Sequence, residues 1–255
     1  MPTSIAVAGK GGTGKSTIAA LLVRSLVEQG KTPVLALDAD PDANLGTLLG
    51  IEETSSIGSM REDALKDVKN MPAGMSKAAY VEAGLHQVIE EAEGFDLLAM
   101  GRSEGSGCYC YLNNLIRKFS DDLTPGYPWV VIDNEAGLEH LSRQTTRDVD
   151  ALLVVISENP LSIHSASSII EIVKDLDSRI GHLYAVTNMI HPENQARVEQ
   201  RIEKLGLEIL CRIPFDEKLD DMIFEHSHIT SLDGLDVRDQ IETIIDRIGG
   251  QHGAT

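Results

Sequence analysis

The chain has 255 residues, 42% of them hydrophobic, with 40 acidic against 22 basic side chains and a formal net charge of −18. This length and apolar content suffice for one substantial core, and residues 1–255 are read as a single domain. The acidic balance counts against a nucleic-acid coat or an anchor on anionic lipid, which both need clustered Lys and Arg, so neither nucleic acid nor a membrane is an expected partner.

No run of about 18 apolar residues is present to span a bilayer. The N-terminus enters a strand-like Ser4-Ile5-Ala6-Val7-Ala8 without a charged leader, and a cytoplasmic protein is expected. Three cysteines, Cys108, Cys110 and Cys211, are too few and too oddly numbered for a disulfide framework and read as thiols or metal ligands.

In chain order, short runs rich in Val, Ile and Leu recur at residues 4–8, 33–38, 95–100, 128–133, 150–156, 182–187 and 207–212. Longer segments with helical spacing lie between them, as in Ile18 to Glu28, which stops at Gly30, and Ile163 to Leu176. The alternation predicts an α/β fold with a mostly parallel, doubly wound sheet flanked by helices. Residues 51–94 show a weaker pattern and are expected to be a helical or irregular excursion. The last helix is expected over Asp236 to Ile248, with a flexible tail at 249–255.

Directly after the first strand stands Gly9-Lys10-Gly11-Gly12-Thr13-Gly14-Lys15-Ser16-Thr17, which satisfies G-x-x-x-x-G-K-[ST] and opens a helix. Such a loop turns backbone N–H groups inward around phosphate oxygens, so Gly11 to Thr17 are the expected nucleotide contacts. Lys15 would meet the β and γ phosphates and Ser16 would ligate Mg²⁺. The run Pro128-Trp129-Val130-Val131-Ile132-Asp133 has the Walker B form, which places Asp133 in the Mg²⁺ shell. In Thr187-Asn188-Met189-Ile190-His191, His191 stands where N-K-x-D GTPases have the guanine-reading aspartate, so adenine is the expected base.

The early Lys10 gives the deviant pattern K-G-G-x-G-K-[ST], which resembles the MinD-like group of P-loop ATPases. That resemblance implies a homodimer in which Lys10 reaches the partner's phosphates, comparable to an arginine finger. It further implies that Asp38 holds a Mg²⁺-bound water and Asp40 orients or deprotonates the attacking water, both lying in Asp38-Ala39-Asp40-Pro41-Asp42 at a strand end. Asn188 and the segment Ile213-Pro214-Phe215-Asp216 would frame the base, with Pro214 as a contact.

The segment Gly105-Ser106-Gly107-Cys108-Tyr109-Cys110 follows the strand at 95–100. One C-x-C supplies two thiolates, and a two-fold axis supplies four; the alternative is a pair of small packing residues around a turn. Cys211 reads as core, and His226 and His228 as a solvated loop.

AGKGGTGKST, DADPDANL, GSGCYC and VIDNEAGLEHLSR together make the chain similar to the CooC-type carbon monoxide dehydrogenase nickel-insertion ATPases. Glu135, Gly137, Glu139 and His140 match that family's D-x-E-A-G-x-E-H form. The resemblance implies an ATPase using ATP, ADP and Mg²⁺, with Cys108 and Cys110 holding Zn²⁺ or Ni²⁺ between subunits. The client would be carbon monoxide dehydrogenase or acetyl-CoA synthase. Two other readings stay open: a MinD/ParA-like nucleotide switch with another partner, and a redox ATPase like the nitrogenase iron protein.

Overall fold

The computed structural model describes residues 2–51, 55–59, 84, 86–101, 119, 122–134, 148–175 and 179–250. The chain runs β1 (Thr3–Gly9), α1 (Lys15–Glu28), β2 (Val34–Asp38), α2 (Asn44–Leu48), β3 (Ile89–Ala92), β4 (Phe95–Ala99) and β5 (Trp129–Asp133). It continues through β6 (Asp148–Ile156), α3 (Pro160–Asp175), β7 (Arg179–Asn188), α4 (Pro192–Lys204), β8 (Glu208–Ile213), α5 (Glu217–His226) and α6 (Arg238–Gly249).

Eight strands form one sheet in the order β3-β4-β2-β5-β1-β6-β7-β8. Every pairing is parallel except β3 with β4. All seven expected strands are present. The central ones are buried on both faces, which is why they read as unbroken apolar runs rather than alternating ones. Successive residues feed two cores: Val131 packs with α1 and α6, whereas Val130 and Ile132 pack with Ala166 of α3 and Ile202 of α4.

The excursion expected over 51–94 contains a strand at its end. β3 pairs antiparallel with β4 through a Glu93-Gly94 turn, with Gly94 at φ 83°. Its sequence Ile-Glu-Glu-Ala is short and half-exposed at the sheet edge, so it carries neither an apolar run nor a clear alternation. β7 begins at Arg179, three residues before the expected 182, because its outer end pairs with the exposed start of β6, Asp148 opposite Arg179. Cys211 is buried in β8 with its thiol against the Gln240 carbonyl at 3.5 Å, and burial pushes that thiol up. Cys108, Cys110, Glu135, Gly137, Glu139 and His140 lie outside the described residues.

Candidate nucleotide site

Parallel strands bring the ends of β1, β2, β5, β7 and β8 to one edge of the sheet, and the site is built there. The loop after β1 is held by its own Thr13, whose backbone N–H and hydroxyl both donate to the Lys10 carbonyl, at 3.2 and 2.8 Å. Gly14 has φ 88°, and a Cβ there would collide with the Asn188 amide. Gly9 is equally constrained, since a Cβ would come within 2.6 Å of the Val155 carbonyl. No side chain caps α1, and its first turn holds no acidic residue. The uncapped N–H groups at Lys15 to Thr17 therefore face the cleft, as an anion site requires.

A cavity over this loop is lined by Gly11, Gly12, Lys15, Ser16, Asp40 and Asp42, among others. Lys15 is buried, at 6% exposure. Lys10 is half-buried and is not among the lining residues.

Opposite Lys15 stand two carboxylates on adjacent strands, Asp38 and Asp133, in register and both fully buried. Asp38 accepts from the N–H groups of Asp40 and Leu45, each at 3.0 Å. Asp40 in turn accepts from the Asp42 N–H at 3.0 Å. Burial, and then the facing Asp133, push Asp38 up to about 7 against the pull of its two N–H partners. Burial pushes Asp133 up to about 6, countered by the neighbouring Ser16 hydroxyl and Lys15 ammonium. Both Asp133 oxygens are nonetheless buried without a hydrogen-bond partner, Ser16 lying close by but outside bonding geometry. Orphaned anionic oxygens of this kind, with a hydroxyl beside them, fit a hard divalent cation such as Mg²⁺.

Next to the phosphate cavity lies a second one, of about 490 Å³, with Gly14, Thr17 and Ile18 on one side and Asn188, Pro214 and Phe215 on the other. The buried Asn188 donates from Nδ2 to the Thr13 carbonyl at 2.9 Å, tying the end of β7 to the phosphate loop. The wall containing Pro214 is fixed by Asp216. Its Oδ1 caps α5 by accepting from the Leu219 N–H at 3.1 Å, and its Oδ2 accepts from Asp236 and Val237, ahead of α6, at 2.6 and 3.1 Å.

His191 does not line this cavity; its Nδ1 lies 2.9 Å from Glu158 Oε2. Asn44 and Thr47 of α2 and Ile223 of α5 border the phosphate cavity without having been singled out. Asn44 sits within the acidic segment after β2, but nothing local in the sequence marks Ile223. His228 Nδ1 faces the His226 carbonyl at 2.7 Å, and among the described residues no group of three or more His, Cys, Asp or Glu could hold a metal. No described helix is long and apolar enough to cross a membrane.

A phosphate loop between β1 and α1, two strand-end acids and a neighbouring base-sized cavity define a P-loop nucleotide-binding protein. Residues 4–229 match the model of the CobQ/CobB/MinD/ParA nucleotide binding domain, and the chain belongs to that family; it is a P-loop ATPase. It is 39% identical to an ATP-binding protein of Methanocaldococcus jannaschii, covering 84% of this chain and 85% of that one. It is 34% identical to the carbon monoxide dehydrogenase accessory protein CooC of Rhodospirillum rubrum, covering 84% of each. The fold superposes on the cell division ATPase MinD of Pyrococcus furiosus with a TM-score of 0.70 at 20% identity, covering 98% of this chain and all of the other.

Proposed function

We propose that this ATPase is a metallochaperone that binds and hydrolyses ATP as a homodimer and assists nickel insertion into carbon monoxide dehydrogenase or the related acetyl-CoA synthase. The observation that carries the reading is a backbone contact. The Met100 N–H, at the end of β4, donates to the carbonyl of Asp38 at 2.8 Å. Asp38 belongs to the nucleotide site, and the chain beyond Met100 leads within ten residues to Cys108 and Cys110. A shift of Asp38 with the state of the nucleotide thus has a direct route to the thiol-bearing segment. The similarity to a carbon monoxide dehydrogenase accessory protein supports the same client.

In this reading Gly11 to Thr17 cradle the phosphates, Lys15 binds the β and γ phosphates, and Asn188 and Pro214 hold adenine. Ser16 and Asp133 would hold Mg²⁺, with Asp38 beside them positioning solvent; the ion would supply positive charge to the phosphate oxygens. Asp40 orients the water that attacks the γ phosphorus as the bond to the bridging oxygen breaks. Lys10, at the rim of the loop, reaches the phosphates of the second copy. Cys108 and Cys110 of two copies supply four thiolates to Ni²⁺ or Zn²⁺. α6 does not offer the amphipathic surface of a membrane-bound switch, because Ile241, Ile244, Ile245 and Ile248 are buried in the core.

The test is anaerobic titration of the reduced protein with Ni²⁺ and with Zn²⁺, oligomeric state being followed in parallel. One metal per dimer, lost in Cys108→Ala/Cys110→Ala, is the expected result. If metal neither binds nor changes assembly, the metallochaperone reading falls and a nucleotide switch with another partner replaces it.

A further inference from the structure

Away from the nucleotide cleft, the same edge of the sheet holds a charged concavity of about 540 Å³ between the start of α3 and α4. Glu158 and Pro160 line one side, and Asn194, Arg197, Val198 and Arg201 the other. Positions 194, 197, 198 and 201 make one helical face, so α4 presents two arginines to the cavity one turn apart. None of these residues lines either nucleotide cavity.

A helix stripe facing a neighbouring element is ordinarily apolar or matched by acids. Arg238 and Arg247 of α6 are matched in this way, and so is Arg212 on β8, each holding an Asp or Glu. Arg197 and Arg201 have no ion-pair or hydrogen-bond partner among the described residues, in a chain whose net charge is −18. Glu158, the carboxylate in the lining, is already engaged elsewhere. Its Oε2 accepts from the His191 N–H at 3.3 Å and from Asn194 Nδ2 at 3.0 Å, and lies 2.9 Å from His191 Nδ1. The mouth of the cavity therefore keeps two like charges one helical turn apart, on an exposed Arg197 and a half-buried Arg201, while its acid is bonded to His191 and Asn194.

We propose that this cavity is an oxyanion site taking a small phosphate-class dianion between Arg197 and Arg201. A guanidinium fork matches phosphate oxygens two at a time, and a dianion cancels both charges where a single carboxylate cancels one. The strongly negative surface disfavours a long polyanion such as DNA at a distance but leaves a short-range site for a small anion.

The test uses full-length protein saturated with Mg-ADP, so that the phosphate loop is already filled. Inorganic phosphate is titrated at constant ionic strength, balanced with chloride, while arginine Nε–Hε resonances are followed by NMR. Saturable shifts of two resonances, absent from Arg197→Gln and Arg201→Gln respectively, are expected, with phosphate binding lost in the double variant. Unchanged ADP affinity in that variant shows that it is folded. A linear response, one matched by chloride, or one that persists in the double variant overturns the proposal. So does tight duplex DNA binding through these arginines without a response to phosphate.

Discussion

Two carboxylate sites stand at the same edge of one sheet and are resolved in opposite ways. Around Asp38 and Asp133 the acids face each other in a dry interior and their pKa values rise to about 7 and about 6. At Glu158 the acid is half-buried and bonded to His191 and Asn194, which hold it below the usual carboxylate range, while Glu158 holds the imidazole above its ordinary value. The lesson is that acidity at a strand end does not define a cation site. In the first pair Asp133 has been left without a hydrogen-bond donor and one lysine faces two acids, whereas Glu158 has been given donors and an imidazole of its own.

The largest expected effect comes from removing the cation that offsets the first pair. Lys15→Gln should lower ATP turnover by about a hundredfold or more, read as steady-state phosphate release, because the phosphates lose a preorganised charge in a dry site. Turnover within a few-fold of wild type would show that Lys15 does not meet the phosphates.

Next comes pH. The folded pKa values of Asp38 and Asp133 are raised above an ordinary 3.8, so the folded state retains protons that the unfolded chain has released. Their penalty is absent below about pH 4, grows as pH rises, and is complete above about pH 7, so these groups make the nucleotide-free protein less stable at pH 8 than at pH 5. Denaturant melts should show that fall, and Mg-ADP should diminish it. Asp133→Asn removes one charge of the pair and should stabilise the nucleotide-free protein at pH 8 by about 2 kcal/mol while weakening Mg²⁺ binding and abolishing activity. An unchanged or lowered stability would mean that the two acids do not repel.

The smallest effect belongs to the second site. His191→Gln should leave turnover unaltered, since the ring lies outside the base cavity, and should flatten only a weak pH dependence of opposite sign. A raised His191 stabilises the folded state below its unfolded pKa and loses that contribution as pH climbs through the folded value. A large loss of ATP affinity would return His191 to the base site.

The strands and the phosphate loop were legible because each is a local pattern: an apolar run for a strand buried on both faces, and glycines where a Cβ at Gly14 would strike Asn188. The acids of β2 and β5 were legible as types, but their register was not, since facing across two strands is a property of the sheet order. β3 was missed because an exposed edge strand of four residues needs no apolar run. The Glu158–His191 contact spans 33 residues, and the Asp216 contacts span 20 and 21 residues beyond its helix cap. Sequence spacing cannot reveal such pairs, because only the packed fold brings them together.

Asp216 also sets an order of events during synthesis. The phosphate loop and α1 leave the ribosome early, but the base wall depends on the backbone N–H groups of Asp236 and Val237, and α1 packs against α6, the last described helix. A nascent chain truncated before residue 236 therefore has its phosphate loop but no finished seat for the base. Nucleotide capture then requires synthesis to have passed residue 237, and ATP added to a translation reaction should protect chains extending beyond α6 from protease while leaving chains stalled before residue 236 as vulnerable as before.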